Sequence, residues 1–378
     1  MSTFLAKARH TLRYEGLGSL IDRGARYAAY RARRLVIPRA ETVREWAELR
    51  GSFAGRRAFL IGNGPSLNTT ELYLLEGEAT MCFNRFDLML ERLAWNPTFY
   101  TVIDDRVLLD TLDVVREVSL VAEHSFFPDV HPYNIDFRRR IEKRDNVHWL
   151  FLDRPDFSVD LPYCGINKTV ANVGLQILAF LGFTQIYLLG MDMTYSLAKS
   201  ARIEGARNAT ATADDDESHF DPRYFGAGRR FHVPMLEEAF AKFREAREFF
   251  EARGVQICNA TDGGALEEFE RVSLDSVLGY SMARKEQMFT KSVQCQLKAP
   301  TCDPVRALWE SQAVSTAEEV DPEWLTFRSS ARDVSRILLK RVAEYVPFGP
   351  LDGQVLFVAR RALRHCSSAH AWADAGHP

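Results

Sequence analysis

Three stretches of this sequence have residue types and spacing suited to chemistry. The first is Gly62-Asn63-Gly64-Pro65-Ser66, which follows a short apolar run. Two glycines let a backbone approach a ligand closely, and a helix opening just beyond would favour an anion. No Gly-Lys-Ser/Thr follows, and the third glycine of a dinucleotide fingerprint is missing. The turn therefore reads as a phosphate-proximal loop or as a plain tight turn. The second is acidic: Asp104-Asp105, and the run Asp214-Asp215-Asp216-Glu217. Magnesium sites commonly combine one or two carboxylates with substrate phosphates. The later run follows Asn-Ala-Thr-Ala-Thr-Ala and reads as a solvated loop, which leaves Asp104 as the better ligand contact. The third is 198–234, with His219, His232, Arg223, Arg229 and Arg230. Imidazoles accept protons near neutral pH, and guanidinium groups neutralise phosphates. So long a stretch without periodicity reads as a lid over a site or as a surface loop. His124, His131 and His148 lie near strand edges and read as structural.

Those residues need a frame. Apolar runs at 57–61, 79–83, 98–103, 118–122, 147–152, 185–189 and 255–258 read as strands. Asn68 and Glu71 have the spacing of a capping box, so a helix is expected to begin there. Val170, Val173, Gly174, Ile177 and Leu181 share one helical face between Thr169 as N-cap and Gly182 as stop. Another amphipathic helix spans about 235–253. Alternating strands and helices predict an α/β fold with a doubly wound, mostly parallel, Rossmann-like sheet. Ligands of such sheets bind beyond the carboxyl ends of the strands. Asn63, Asn84, Asp104, Asp192 and Asn259 each follow or end a strand and should meet on that edge.

The chain of 378 residues is 46% hydrophobic and 26% charged, which excludes wholesale disorder. No apolar run is long enough to span a bilayer, and no apolar block at the start resembles a signal peptide. Six scattered cysteines without a CxxC pair argue for a reducing compartment and against a zinc site. Residues 1–39 carry nine Lys/Arg against Glu15 and Asp22, a net +7, which leaves −10 for the rest of a chain whose total is −3. These cations interleave with Leu12, Leu17, Ile21, Tyr27 and Leu35, the pattern of a helix resting on anionic lipid or on another subunit. No basic stripe continues into the acidic body, so nucleic acid is not expected as a partner. Three regions result: a basic amphipathic helical arm (1–50), the Rossmann-like domain (51–278) with its lid at 198–234, and a linker with a basic helical extension (279–378).

The order of motifs carries a resemblance. Ile-Gly-Asn63-Gly-Pro-Ser-Leu, Cys-Phe-Asn84, Asn167-Lys-Thr-Val-Ala-Asn172, Leu-Leu-Gly190-Met-Asp192-Met-Thr-Tyr195 and Ser-His219 through His232 follow one another. In this order they resemble the bacterial CMP-sialic-acid-dependent sialyltransferases of glycosyltransferase family 42. The chain is also similar to the 6-hydroxymethylpterin diphosphokinase MptE-like family, which includes the motility-associated flagellin glycosyltransferases. The likeness covers roughly 55–275. It implies that Asn63 and Asn84 contact a donor nucleotide beside Asp104. A lid histidine, His232 first and His219 second, would deprotonate the acceptor, and Tyr195 would hold the departing phosphate. Gly62, Gly64, Pro65, Ser66, Asp105, Thr169, Asn172, Gly190, Asp192 and Arg229 complete the expected nucleotide-sugar site. The segment Asn167-Lys168-Thr169-Val170-Ala171 departs from the sialyltransferase pattern at the sugar-recognising position.

The expected reaction is transfer of a CMP-activated nonulosonic or Kdo-type sugar to a surface-glycan or lipid-linked acceptor by inverting displacement. No prosthetic group and no metal are expected for it. The expected setting is the cytoplasm, with the arm on the inner leaflet, and a homo-oligomer is compatible. One alternative is an ATP- and Mg²⁺-dependent pterin diphosphokinase with Asp104, Asp105 and Asp192 facing the metal. Another is a sugar-nucleotide binder in envelope assembly that turns nothing over.

Overall fold

The computed structural model describes residues 2–90, 92–131, 135–204, 208–297, 326–330, 345–351 and 354–359. It opens with helix α1 (Ser2–Val36), which is broken at Gly16 where φ is 85°, and helix α2 (Ala40–Leu49). Strand β1 (Arg57–Ile61) leads through two one-turn 3₁₀ segments, Pro65–Asn68 and Leu72–Leu75, to β2 (Ala79–Phe83). The capping-box expectation thus fails. Asn68 does not cap an α-helix: its Nδ2 donates to the carbonyl of Phe220 and its Oδ1 accepts from Arg92.

Helix α3 (Asp87–Leu90), β3 (Phe99–Thr101), α4 (Asp105–Asp110) and α5 (Leu112–Val121) follow, then β4 (His124–Pro128), β5 (Val130–His131), β6 (Ile135–Asp136) and β7 (Val147–Leu150). The strand expected at 118–122 is the last turn of α5. Val115, Val118 and Ser119 are buried there at helical spacing, and the strand comes one step later as β4. Next come α6 (Val170–Leu181), β8 (Gln185–Leu189), β9 (Arg202–Ile203), β10 (Asn208–Thr210), β11 (Arg230–His232), α7 (Leu236–Glu251), β12 (Gln256–Asn259), β13 (Glu270–Arg271), α8 (Leu274–Leu278) and α9 (Met282–Leu297). Beyond α9 the described parts of the tail are strands: β14 (Thr326–Ser330), β15 (Tyr345–Leu351) and β16 (Gln354–Ala359) form a small antiparallel sheet. Helix α9 falls at the start of the expected linker and extension, and 298–325, 331–344 and 360–378 lie outside the described residues.

The main sheet has eight strands in the order β13-β12-β8-β1-β2-β3-β4-β7, all parallel. The α/β doubly wound fold is thus present. The order reverses beside β1, because β2, β3, β4 and β7 extend to one side while β8, β12 and β13 extend to the other. Strand β1 shows why the sheet is two-sided. Ala58 and Leu60 enter one core with Trp46, Phe83, Val173, Ile177 and Phe250, whereas Phe59 and Ile61 enter the opposite core with Leu67, Leu72, Leu189 and Met288. Near-continuous apolar strands are what burial on both faces demands. Helix α6 is capped as its sequence predicts: Thr169 Oγ1 accepts from the backbone of Asn172, and Gly182 ends it with φ 99°.

The arm is anchored at its carboxyl end. Arg34 is buried and bonds Asp129 at 2.9 Å and Asp153 at 2.7 Å, while Arg33 pairs with Asp136 at 2.6 Å. Trp46 of α2 is fully buried and donates to the carbonyl of Trp149 at 2.8 Å, so α2 belongs to the packed body. The outward face of α1 leaves Leu17, Ile21 and Leu35 at 62%, 63% and 87% exposure.

Candidate functional site

The site grows from the switch point. Gly62 N donates to Leu189 O at 2.7 Å and Gly64 N to Gly190 O at 2.9 Å, which lashes the turn after β1 to the end of β8. A Cβ on Gly62 would collide with the Gly190 carbonyl, so only glycine fits there. Asp192 completes the clamp. Its Oδ1 accepts from Ser66 N at 3.1 Å and its Oδ2 from Ser66 Oγ at 2.7 Å. The N-terminus of the short 3₁₀ turn at Pro65–Asn68 thus faces the carboxylate of Asp192, and both carboxylate oxygens accept from Ser66. Burial raises its pKa, against the pull of the Ser66 hydrogen bonds.

Asn63, Asn84 and Asp104 follow β1, β2 and β3, adjacent parallel strands about 4.8 Å apart. They therefore stand in a row along one edge. Asn63 Nδ2 donates to Phe83 O at 3.4 Å, and its backbone carbonyl accepts from Phe220 N at 3.0 Å. Asn84 adopts a left-handed conformation, φ 53°, stabilised by Tyr100 Oη donating to its carbonyl at 2.6 Å. Its Nδ2 donates to the hydroxyl of Tyr224 at 3.3 Å. The Oδ1 atoms of both asparagines are buried and take no hydrogen bond from the described residues. Asn259, by contrast, is consumed locally: its Nδ2 donates to Leu266 O and its Oδ1 accepts from Thr261 N. Thr169 and Asn172 likewise serve the start of α6, where Asn172 Nδ2 donates to Asn167 O at 2.7 Å.

The segment expected to lack structure is a roof. Strands β9, β10 and β11 form an antiparallel sheet, and Arg92 pairs with Asp221 at 2.6 Å. The acidic run within it is solvated at Asp214 and Glu217, but Asp216 turns inward. Asp216 is buried and accepts from His219 Nδ1 at 2.8 Å, Asp215 accepts from Ser200 Oγ, and Asp214 accepts from Ala227 N. The His219 ring lies flat on Tyr224, with centroids 3.8 Å apart and planes 3° from parallel. Tyr224 is buried, and burial raises its pKa despite the Asn84 hydrogen bond. Tyr195 is half-buried beside Phe231, and burial, with Asp216 nearby, pushes its hydroxyl up to about 12.

A second cluster lies at the end of β3. Asp104 caps α4, its Oδ1 accepting from Arg106 N and Val107 N. Asp105 Oδ1 is 3.8 Å from His232 Nε2 and 4.0 Å from His131 Nδ1. Burial works to raise the Asp105 pKa, but the two imidazoles outweigh it and hold the carboxyl below its usual range. His131, read from sequence as structural, is thus a buried member of this cluster, and burial lowers its pKa. No local pattern marks it, because β4 and β5 deliver it from a distance.

Of the roof arginines singled out from the sequence, Arg223 forks onto Asp221 and Arg230 pairs with Asp110. Arg229 keeps a buried Nη1 without a partner among the described residues. It lines a cavity of about 410 Å³ with Arg85, Asp87, Asp214 and Arg223.

No family model and no curated protein matches the chain. Among solved structures, it is similar to the MAf glycosyltransferase from Magnetospirillum magneticum AMB-1, at 18% identity and a TM-score of 0.36. The likeness covers 66% of this chain and 41% of that one. Among the described residues, no helix is long and apolar enough to cross a membrane.

Proposed function

We propose that the protein is a glycosyltransferase that takes its sugar from a nucleotide donor, a CMP-linked nonulosonic or Kdo-type acid, and passes it to a glycan or lipid-linked acceptor. One observation carries the reading. At the switch point of a parallel sheet, two neighbouring carboxamides, Asn63 and Asn84, bury acceptor atoms that nothing among the described residues satisfies. Buried polar atoms are nearly always paired, so such orphans at a crevice mark where a ligand supplies the missing donors. A cytosine amino group and ribose hydroxyls are donors of this kind.

The chemistry is a single displacement. A base removes the acceptor proton, the acceptor oxygen bonds the anomeric carbon, and CMP departs with the bonding pair. His219 suits the base role. The buried carboxylate of Asp216 fixes its Nδ1–H, which leaves Nε2 as the proton acceptor. His232, the position implied by the resemblance, faces Asp105 instead. Arg229 and Tyr195 would meet the departing phosphate. The arm on an anionic leaflet would bring the enzyme to a lipid-linked acceptor.

The test is release of CMP from CMP-sugars. Wild-type protein should release it, and His219→Ala should slow the release by about 10²–10⁴-fold. Equal rates would remove His219 from the mechanism. The Asp104–Asp105–His232 cluster favours a second reading, a diphosphokinase using ATP and Mg²⁺. Thermal stabilisation by ATP with Mg²⁺, and none by CMP, would establish that reading over the first.

A further inference from the structure

The geometry points to a divalent-cation site formed by Asp104, Asp105 and His232, of a kind that takes a first-row transition ion such as Mn²⁺. Each residue offers one ligand atom, and the three atoms lie within 4.8 Å of one another. They arrive from two directions, the turn after β3 and the last residue of β11.

The tautomer of His232 carries the argument. Its Nδ1 lies 3.1 Å from Asn208 Oδ1, an amide oxygen that can only accept. Nδ1 therefore carries a hydrogen, and in the neutral ring Nε2 presents a lone pair. That atom is buried and has no hydrogen-bond partner. It faces Asp105 Oδ1 at 3.8 Å, too far for a hydrogen bond, and the carboxylate also has no proton to give. In that state two lone-pair atoms confront one another, with Nε2 out of contact with water. A cation between them resolves the conflict, since metal bonds of about 2.0–2.2 Å separate neighbouring ligand atoms by roughly 3–4 Å.

The supporting shell is present as well. Asn208 orients the imidazole, as outer-shell partners of metal-binding histidines do. The backbone amides of Arg106 and Val107 fix the Asp104 carboxylate through Oδ1. One imidazole nitrogen with two carboxylates suits Mn²⁺ or Zn²⁺ better than Ca²⁺, which prefers oxygen alone. Three protein ligands leave coordination positions for water or a phosphate oxygen. The inference goes beyond the proposed transfer reaction, and its test contains no nucleotide, so either can fail alone.

The experiment is Mn²⁺ titration of the metal-stripped full chain, followed by electron paramagnetic resonance and by melting temperature. Wild type should bind one Mn²⁺ per chain and melt higher with it. Asp105→Asn and His232→Ala should each weaken binding at least about tenfold, and Asn208→Ala by about tenfold. Asp104→Asn is the fold-safe variant, because asparagine caps a helix as well as aspartate does. It too should lose affinity, while Glu251→Gln, on the exposed end of α7, should bind as wild type. A wild-type chain that binds no Mn²⁺, or an Asp104→Asn chain that binds it undiminished, overturns the site.

Discussion

The carboxylate of Asp192 occupies the space that a side chain on Gly64 would need: a Cβ built on Gly64 would overlap Asp192 Oδ2. That carboxylate also holds Ser66 through two hydrogen bonds. Gly64→Ala should therefore displace Asp192 and loosen the whole turn. Asp192→Asn keeps the shape but turns one acceptor into a donor facing Ser66, at a cost of about 1–3 kcal/mol. Thermal melts should show both variants less stable than wild type. An unchanged melting temperature in both would mean the clamp is idle.

Asn63→Ala and Asn84→Gly address the row of orphaned acceptors. Glycine is chosen at 84 because the backbone there is left-handed. Each should weaken CMP binding at least about tenfold in calorimetry, the scale of one lost buried hydrogen bond, with melting temperature little changed. Undiminished CMP affinity in both would detach the asparagines from the nucleotide.

His148 gives the fold an acid limit. Burial, and then the charges of His124 and Lys143, push its pKa down to about 3, against an ordinary value near 6.5. Between those values the unfolded chain binds the extra proton, so stability is present above about pH 6.5 and drains away as pH falls towards 3. The ring lies among Trp46, Phe126 and His124 and shares a 3.1 Å hydrogen bond with His124. His148→Phe should therefore shrink the difference in melting temperature between pH 8 and pH 5. A difference as large as in wild type would assign the acid sensitivity elsewhere.

Helix α1 exposes Leu17 and Ile21 within a segment of net +7. The full chain should sediment with phosphatidylglycerol vesicles but not with phosphatidylcholine, and added salt should weaken the binding. Leu17→Glu/Ile21→Glu should abolish it. Equal sedimentation with both lipids, or a variant that binds as wild type, would refute a membrane role for the arm. Light scattering showing wild-type dimers that this variant breaks would mark the stripe as a subunit contact.

Much of the frame was legible beforehand because its signals are local. The strand-and-glycine punctuation at 57–66 and 185–192, and the capped periodicity of 169–182, each lie within one window of sequence. The failures came where local signals compete. Residues 118–122 are as apolar as a strand, yet they pack as the end of α5. Asn68 and Glu71 are spaced for a cap, yet Asn68 is claimed by Phe220 and Arg92, from other parts of the chain.

The site divides the same way. Sequence alone determined that Asn63, Asn84 and Asp104 end successive strands, because hydrophobic periodicity and turn residues act over a few positions. Only the tertiary structure decided what each polar group touches. Ser66 meets Asp192 across 126 residues, a run that looked solvated supplies the buried partner of His219, and His131 joins Asp105. Such pairings follow from strand order and the path of the roof. No local propensity encodes them, since each depends on where two distant segments come to lie side by side.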